Sequence, residues 1–125
     1  MPGTDITHRL PLVIAAYVKA SNDADPNAFL GVFTDDAFVN DIQREFRGKA
    51  AIGKWAEREI FGANVTMEVM RAIDHYGDVT VTAKLEGTYD KTGLPDPLIL
   101  TFYFIVRDDK ITMLIILLNK PAENP

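Results

Sequence analysis

The sequence predicts an α+β fold in which a cone-like, curved antiparallel sheet packs against three helices from the N-terminal half and encloses a pocket. Apolar residues recur at helical spacing in the first sixty positions, and the pattern changes to strand alternation from Val65 onward. Helices segregated to one face of an antiparallel sheet define the α+β class. At 125 residues the chain is predicted to be one domain, residues 1–125.

Composition and charge restrict the classes of partner. Apolar residues make up 47% of the chain and charged residues 25%, which is an ordinary globular profile. A formal net charge of −5 argues against binding to nucleic acid or to an anionic membrane surface. We find no signal peptide pattern and no apolar run near the roughly 20 residues of a membrane span. We therefore expect a cytoplasmic protein with no membrane partner.

The residue types available for chemistry are few. The absence of cysteine excludes disulfides, zinc–thiolate sites and thiol catalysis. His8 and His75 are far apart in the chain and do not form a ligand set. No glycine-rich phosphate loop or nucleophile elbow is present. The sequence thus predicts neither a metal nor a cofactor.

The first predicted helix carries one apolar stripe. Thr7 is its predicted N-cap, and Pro11 is tolerable only in the first turn. Tyr17 lies on the stripe, so its ring should be buried and its hydroxyl should need a partner. The stripe consists of Leu10, Val13, Ile14, Tyr17 and Val18.

The second helix leads into the strand that bears the main candidate residue. Asp25 is a predicted cap, with Pro26 at the first helical position and an end at Phe33. Residues 34–36 are predicted to turn the chain into a strand, residues 37–42. Regular alternation would place Asp41 on the same face as Ala37 and Val39.

The third helix is predicted at Lys49–Ile60, after a turn and short return strand at residues 43–47. Gly62 fits a C-terminal cap. A strand begins at Val65 and is followed by a predicted turn at residues 75–78. The strand after that turn, Val79 to Glu86, has the clearest alternation in the chain. Leu98 to Val106 and Ile111 to Leu118 read as a hairpin that follows a loop at residues 90–97.

The last two strands are apolar on both faces, although an antiparallel strand with one wet face should alternate. The helices can cover one face. Since no further helix remains for the other, we expect a second copy to cover it, in a homodimer formed through the sheet.

Three stretches carry a resemblance to a known family. They are residues 15–18, followed by residues 23–25; the segment FTDDAFVND at residues 33–41; and the segment FRGKAAI at residues 46–52. The chain resembles the nuclear transport factor 2-like superfamily, in its branch of SnoaL-like polyketide cyclases and ketosteroid isomerases. The resemblance covers nearly the whole chain, although this fold carries many unrelated functions.

The resemblance implies a hydrophobic small-molecule ligand and cofactor-free proton transfer at a carbonyl, as in isomerisation, cyclisation or dehydration. By motif match Asp41 is the general base and Tyr17 donates a hydrogen bond to the substrate oxygen. A second acid of ketosteroid isomerases would fall near Thr101, where this sequence has a hydroxyl instead of a carboxyl group.

Each candidate residue also has a plain structural interpretation. Asp41 is either a base in an apolar pocket or a rim carboxylate paired with Arg44 or Arg47. Tyr17 is either a substrate donor or a core residue. The remaining candidates are either substrate-binding or core-filling residues; they are Phe33, Trp55, Tyr89, Thr101 and Tyr103.

The alternative function is a non-catalytic ligand-binding or dimerisation module of the same fold. The missing acid at Thr101 favours that alternative.

Overall fold

The computed structural model describes residues 3–119 as three helices and seven strands, with a π-helical turn at Glu57–Phe61. The helices are α1 (Leu12–Asn22), α2 (Pro26–Gly31) and α3 (Gly48–Ala56). The strands are β1 (Thr4–Asp5), β2 (Phe33–Asp41), β3 (Arg44–Arg47), β4 (Thr66–His75), β5 (Asp78–Glu86), β6 (Leu98–Arg107) and β7 (Lys110–Leu118).

The strands form one curved, unclosed sheet in the order β1-β4-β5-β6-β7-β2-β3. Strands β4 to β7 are an antiparallel meander, as predicted, and β2 and β3 form the short hairpin. Strand β2 joins the meander by running parallel to β7, a pairing that the sequence pattern did not predict. The α+β fold class is confirmed.

The core lies between the helices and one face of the sheet. On β5 the predicted alternation is observed, since Val79, Val81 and Ala83 are all buried. The helices contribute Ile14, Phe29 and Ile52, which have no exposed surface. An apolar layer of this kind is what holds short helices such as α2 in place, because six residues cannot form a stable helix alone.

The start of α1 differs from the prediction. The helix begins at Leu12, directly after Pro11, and no side chain caps it. Thr7 was predicted as the cap, but its hydroxyl donates to Asp5 Oδ1 at 2.6 Å and accepts from the backbone N–H of Ala72 at 3.0 Å. Thr7 therefore ties the N-terminal segment to the sheet, and Pro11 alone sets the helix start.

The junction of α2 and β2 differs as well. Asp25 caps α2 by accepting from the Ala28 N–H at 3.1 Å, and Pro26 is the first helical residue, as predicted. The helix ends at Gly31, before Phe33, and the predicted turn at residues 34–36 is part of strand β2. A register shift against β7 between Phe33 and Phe38 accommodates these residues as an irregularity within the strand.

The third helix continues beyond α3 as the π-helical turn, close to the predicted end. The N–H of Gly62 donates to the Glu57 carbonyl at 2.8 Å and closes this turn. A side chain at Gly62 would lie 2.8 Å from the same carbonyl oxygen, so the position needs glycine for space rather than for a positive φ.

Asn22, the last residue of α1, fixes that helix to the sheet. Its side-chain amide donates to the Met67 carbonyl at 3.0 Å and accepts from the Met67 N–H at 2.8 Å. Strand β1 pairs with β4 at Ile73 and Asp74, so it does not reach Met67. Asn22 therefore takes the place of a neighbouring strand at this edge.

We predict that Asn22→Ala lowers the free energy of unfolding by about 1–2 kcal/mol, because two hydrogen bonds are lost. Urea unfolding of both proteins measures the difference. Asn27→Ala, on the exposed surface of α2, is the matched control and should leave stability within about 0.5 kcal/mol of wild type. Equal stability of the Asn22 variant and the control would contradict the anchoring role.

Candidate functional site

An apolar cavity of about 190 Å³ lies between α1, α3 and the inner face of the sheet. Its walls are formed mainly by aliphatic and aromatic side chains, among them Ile60, Met67, Leu85, Leu100, Phe102 and Ile116. The polar lining residues include Tyr17 and Ser21 from α1, and Asp41, Arg44 and Glu59 on another part of the wall. Few polar groups in an apolar cavity are typical of a small-molecule site.

Asp41 lies at the end of β2 and is part of the cavity wall. Ala37 and Val39 are buried on the same face of the strand, and the Asp41 side chain is 13% exposed. Its Oδ2 atom accepts from Trp55 Nε1 at 3.0 Å and from Arg44 Nη2 at 2.7 Å. Within residues 3–119, Oδ1 accepts no hydrogen bond. One oxygen of the carboxylate is thus fixed and the other is free.

Asp41 has one structural feature of each interpretation, and its role as a base stays a prediction. The residue lines the cavity, and it also forms the ion pair with Arg44. The guanidinium of Arg47 instead lies over the Phe38 ring, 4.4 Å from the ring centroid. Because Arg44 and Asp41 are joined by the tight β2–β3 turn, this pair forms within a single hairpin.

Glu59 holds Arg44 in its position. Arg44 donates from Nη1 to Glu59 Oε2 at 2.8 Å and from Nη2 to Oε1 at 2.6 Å. These hydrogen bonds are the largest cause that raises the pKa of Arg44, followed by the attraction of the nearby carboxylates. Sequence analysis did not select Glu59, although its position four residues after Trp55 places both on one side of a helix.

Tyr17 is 1% exposed and packs among aromatic rings, with centroid distances of 5.1 Å to Phe29 and 5.0 Å to Phe104. No residue within 3–119 forms a hydrogen bond with its hydroxyl. Among the same residues, Thr34 Oγ1 is the one polar side-chain atom that has neither accessible surface nor a hydrogen-bond partner. The Tyr17 hydroxyl therefore opens onto the cavity that the residue lines.

Burial raises the pKa of Tyr17 far above its ordinary value of 10.0, and the charge of Asp41 raises it further. The phenol consequently remains protonated at any physiological pH. A neutral hydroxyl without a protein partner at an apolar cavity is a ready donor for a ligand oxygen.

Ser21, like Glu59, is a polar residue of the cavity wall that was not predicted from the sequence. It follows Tyr17 by four positions on α1, is 4% exposed, and lines the same cavity. The helical spacing of the two residues was the available signal, because residues four apart share one helix face.

The remaining sequence candidates separate into two groups. Trp55 and Tyr89 line the cavity; Trp55 donates to Asp41, and the Tyr89 hydroxyl donates to the Leu85 carbonyl at 3.4 Å. Phe33 is buried in the core, 6.2 Å from Tyr17 between ring centroids, and is outside the cavity wall.

Thr101 and Tyr103 lie on the outer face of β6, because their neighbours Leu100 and Phe102 take the inner face. Thr101 donates to Asn119 Oδ1 at 2.5 Å, away from the cavity. Thr101 was predicted to bind substrate, but the residues next to it that face the cavity, Leu100 and Phe102, are apolar. The substrate contacts expected of Phe33, Thr101 and Tyr103 therefore have no basis in the cavity.

Residues 3–119 can also be compared with what a metal site and a membrane span require. No cluster of three His, Asp or Glu residues in this range could hold a metal ion. In the same range, no helix is long and apolar enough to cross a membrane.

The fold and the cavity define the class of protein. A curved, unclosed sheet with three helices around an apolar cavity is the nuclear transport factor 2-like α+β fold, as the resemblance predicted. The model of the SnoaL-like domain matches residues 14–114, and the chain belongs to this family.

Solved structures agree with this assignment. A protein assigned as a polyketide cyclase from Sinorhizobium meliloti is 26% identical, with a TM-score of 0.80 over 89% of this chain and 98% of that chain. A protein with a ketosteroid isomerase-like fold from Catenulispora acidiphila, in complex with trimethylamine, is 25% identical, with a TM-score of 0.72 over 86% and 85%.

The Δ5-3-ketosteroid isomerase from a Mycobacterium species has 20% identity and a TM-score of 0.69 over 86% of this chain and 90% of its own, a similarity of fold alone. No curated protein matches the chain.

The raised pKa of Tyr17 predicts a specific alkaline destabilisation. Above about pH 10 the unfolded chain ionises this tyrosine and the folded chain does not, so stability falls as pH rises. From about pH 9 to about pH 11, wild type should lose about 1.4 kcal/mol more stability than Tyr17→Phe. Urea unfolding at each pH measures this loss.

The control variant is Tyr76→Phe, since the Tyr76 side chain is fully exposed. Its loss of stability should match that of wild type. If Tyr17→Phe also matches wild type, the hydroxyl is not buried in the folded protein.

Proposed function

We propose that this protein is a cofactor-free proton-transfer enzyme of the isomerase or cyclase type, acting on a small hydrophobic carbonyl compound. The observation that carries the proposal is the free Oδ1 of Asp41 in the wall of an apolar cavity that also receives the unpaired Tyr17 hydroxyl. The family and the names of the related structures support the same class of reaction.

In the proposed reaction, Asp41 Oδ1 removes a proton from the carbon next to the substrate carbonyl. The electron pair of that C–H bond forms the enolate, and the Tyr17 hydroxyl donates a hydrogen bond to its oxygen. If the substrate is a β,γ-unsaturated ketone, Asp41 then returns the proton to the γ-carbon of the dienolate. In a cyclisation the enolate carbon attacks a second carbonyl, whose π electrons move to its oxygen, and that alkoxide takes the proton back from Asp41. No external oxidant or group donor is needed.

The environment of Asp41 suits this role. Trp55 and Arg44 both donate to Oδ2, so they orient the carboxylate without occupying the oxygen that would take the proton. Glu59 shares the charge of Arg44 through two hydrogen bonds and thereby weakens the hold of Arg44 on Asp41. In this proposal Trp55 and Glu59 are positioning residues.

The cavity limits the size of the substrate. An engineered protein cavity of roughly 150 Å³ can hold benzene. The cavity of about 190 Å³ therefore suits a compound of about one ring, with any longer chain extending past the β5–β6 loop. The substrate we propose is a monocyclic or short-chain ketone rather than a tetracyclic one.

We predict that Asp41→Asn abolishes enolisation. Proton NMR can follow deuterium exchange at the α-carbon of cyclohexanone in D2O with and without the protein. The variant should reduce the protein-dependent rate about 10²–10⁴-fold, since an amide cannot accept the proton. The control is Asp23→Asn, because Asp23 pairs with Lys19 on the exposed end of α1.

Rates of Asp41→Asn and Asp23→Asn that both equal wild type would contradict the role of Asp41 as the base.

A non-catalytic ligand-binding module is the second candidate function. It is favoured by the apolar inner-face residues Leu100 and Phe102, which leave the β6 part of the cavity wall without an acidic donor, and by the ion pair between Asp41 and Arg44. If wild type binds the ketone but does not accelerate exchange, this second function is correct.

We also propose that the protein forms a homodimer through the outer face of the sheet. On β6, β7 and β2 this face carries cross-strand apolar pairs, such as Tyr103 with Ile115 and Phe38 with Met113. Tyr103 is 39% exposed and Leu117 is 44% exposed. An uncovered apolar patch of this kind favours association with a second copy.

Ile115→Lys places a charge in the middle of this patch and should convert a dimer into a folded monomer, as measured by sedimentation velocity and circular dichroism. Met70→Lys, at another exposed apolar residue on β4, is the control and should stay dimeric. A monomeric wild type at tens of micromolar would contradict the dimer.

A further inference from the structure

We infer that Ser21 is a second ligand-contacting donor in the cavity, so that the natural ligand carries two oxygen acceptors. This inference deepens the proposed function and rests on it for the role of the site. The observation is a second hydroxyl-bearing residue that is 4% exposed, lines the cavity, and makes no side-chain hydrogen bond within residues 3–119.

The position of Ser21 is fixed by its neighbours. Asn22, the next residue, binds both backbone groups of Met67, and Tyr17, one turn earlier, is held among aromatic rings. The face of α1 between these anchors cannot rotate without breaking them. Ser21 therefore presents its hydroxyl toward the cavity side of the helix.

The hydroxyl of a buried serine in a helix often donates a hydrogen bond to the backbone carbonyl four residues earlier. That hydrogen bond, to the Tyr17 carbonyl, is not formed here. The surrounding wall is apolar, with Met67, Leu100 and Phe102 nearby. The Ser21 hydroxyl therefore faces an apolar cavity without a protein partner, and a ligand oxygen would supply one.

The two hydroxyls on α1 serve different ligand atoms. The tyrosine hydroxyl lies at the far end of a long ring, whereas the serine hydroxyl stays next to the helix backbone. A single ligand oxygen is therefore not shared between them. The ligand class is a one-ring or short-chain compound with one oxygen for Tyr17 and a second carbonyl or hydroxyl oxygen for Ser21.

Two ring compounds of nearly equal shape test this inference. Resorcinol carries two hydroxyls, and 3-methylphenol replaces one of them with a methyl group. Isothermal titration calorimetry gives the dissociation constants of both for wild type, Ser21→Ala and Ser21→Thr. The quantity compared is the ratio of the resorcinol constant to the 3-methylphenol constant.

Ser21→Ala should raise this ratio about tenfold, which corresponds to the loss of one hydrogen bond of about 1.4 kcal/mol. Ser21→Thr retains the hydroxyl and should keep the ratio within about twofold of wild type. Tyr17→Phe should raise the dissociation constants of both compounds, and the ratio of the two constants should still show the contribution of Ser21.

A ratio in Ser21→Ala that stays within about twofold of wild type would overturn the inference, because Ser21 would then be a structural residue. Failure of both compounds to bind wild type would also overturn it. The test is independent of proton transfer. A changed ratio without deuterium exchange would leave the role of Ser21 intact while removing the proposed enzyme activity.

Discussion

The two hydrogen bonds to Asp41 Oδ2 are the interaction on which the site depends. They join three elements, since Asp41 ends β2, Arg44 begins β3 and Trp55 lies in α3. Without them a carboxylate beside an apolar wall would turn toward water, where a charge is better solvated. Because both donors bind the same oxygen, the carboxylate is partly neutralised and oriented while Oδ1 remains open.

The opposite wall depends on a different constraint. Helix α1 brings Tyr17 into the core through its aromatic contacts, and Asn22 fixes the end of that helix to the free edge of β4. The buried phenol remains neutral because burial opposes its ionisation. A carboxyl group and a neutral hydroxyl donor thus line one apolar cavity, the pair of groups that proton abstraction next to a carbonyl uses.

The sequence predicted the fold class because its strongest patterns were long and regular, as in the alternation of Val79, Val81 and Ala83. The predictions failed where a local signal competed with the sheet. Thr7 has a good capping side chain, but the sheet uses its hydroxyl. Residues 34–36 resemble a turn, but the pairings of Phe33 and Phe38 with β7 on either side of them keep them within β2.

The site was predictable in part for a similar reason. Tyr17, Asp41 and Trp55, which were selected from the sequence, line the cavity, whereas Thr101, which was assigned from motif position alone, does not. Strand parity places Thr101 on the outer face, and parity depends on a register that one sequence does not fix. Ser21 and Glu59 are ordinary polar residues in sequence; their importance follows from what the folded chain places around them.

The most direct test of this account is a crystal structure of the protein with bound phenol, a planar analogue of a cyclic enolate. The account predicts that the ring lies in the cavity, with its oxygen about 2.6–3.2 Å from the Tyr17 hydroxyl and a ring carbon facing Asp41 Oδ1. A phenol oxygen bound instead to Arg44 or Glu59, with Asp41 Oδ1 turned toward solvent, would contradict it.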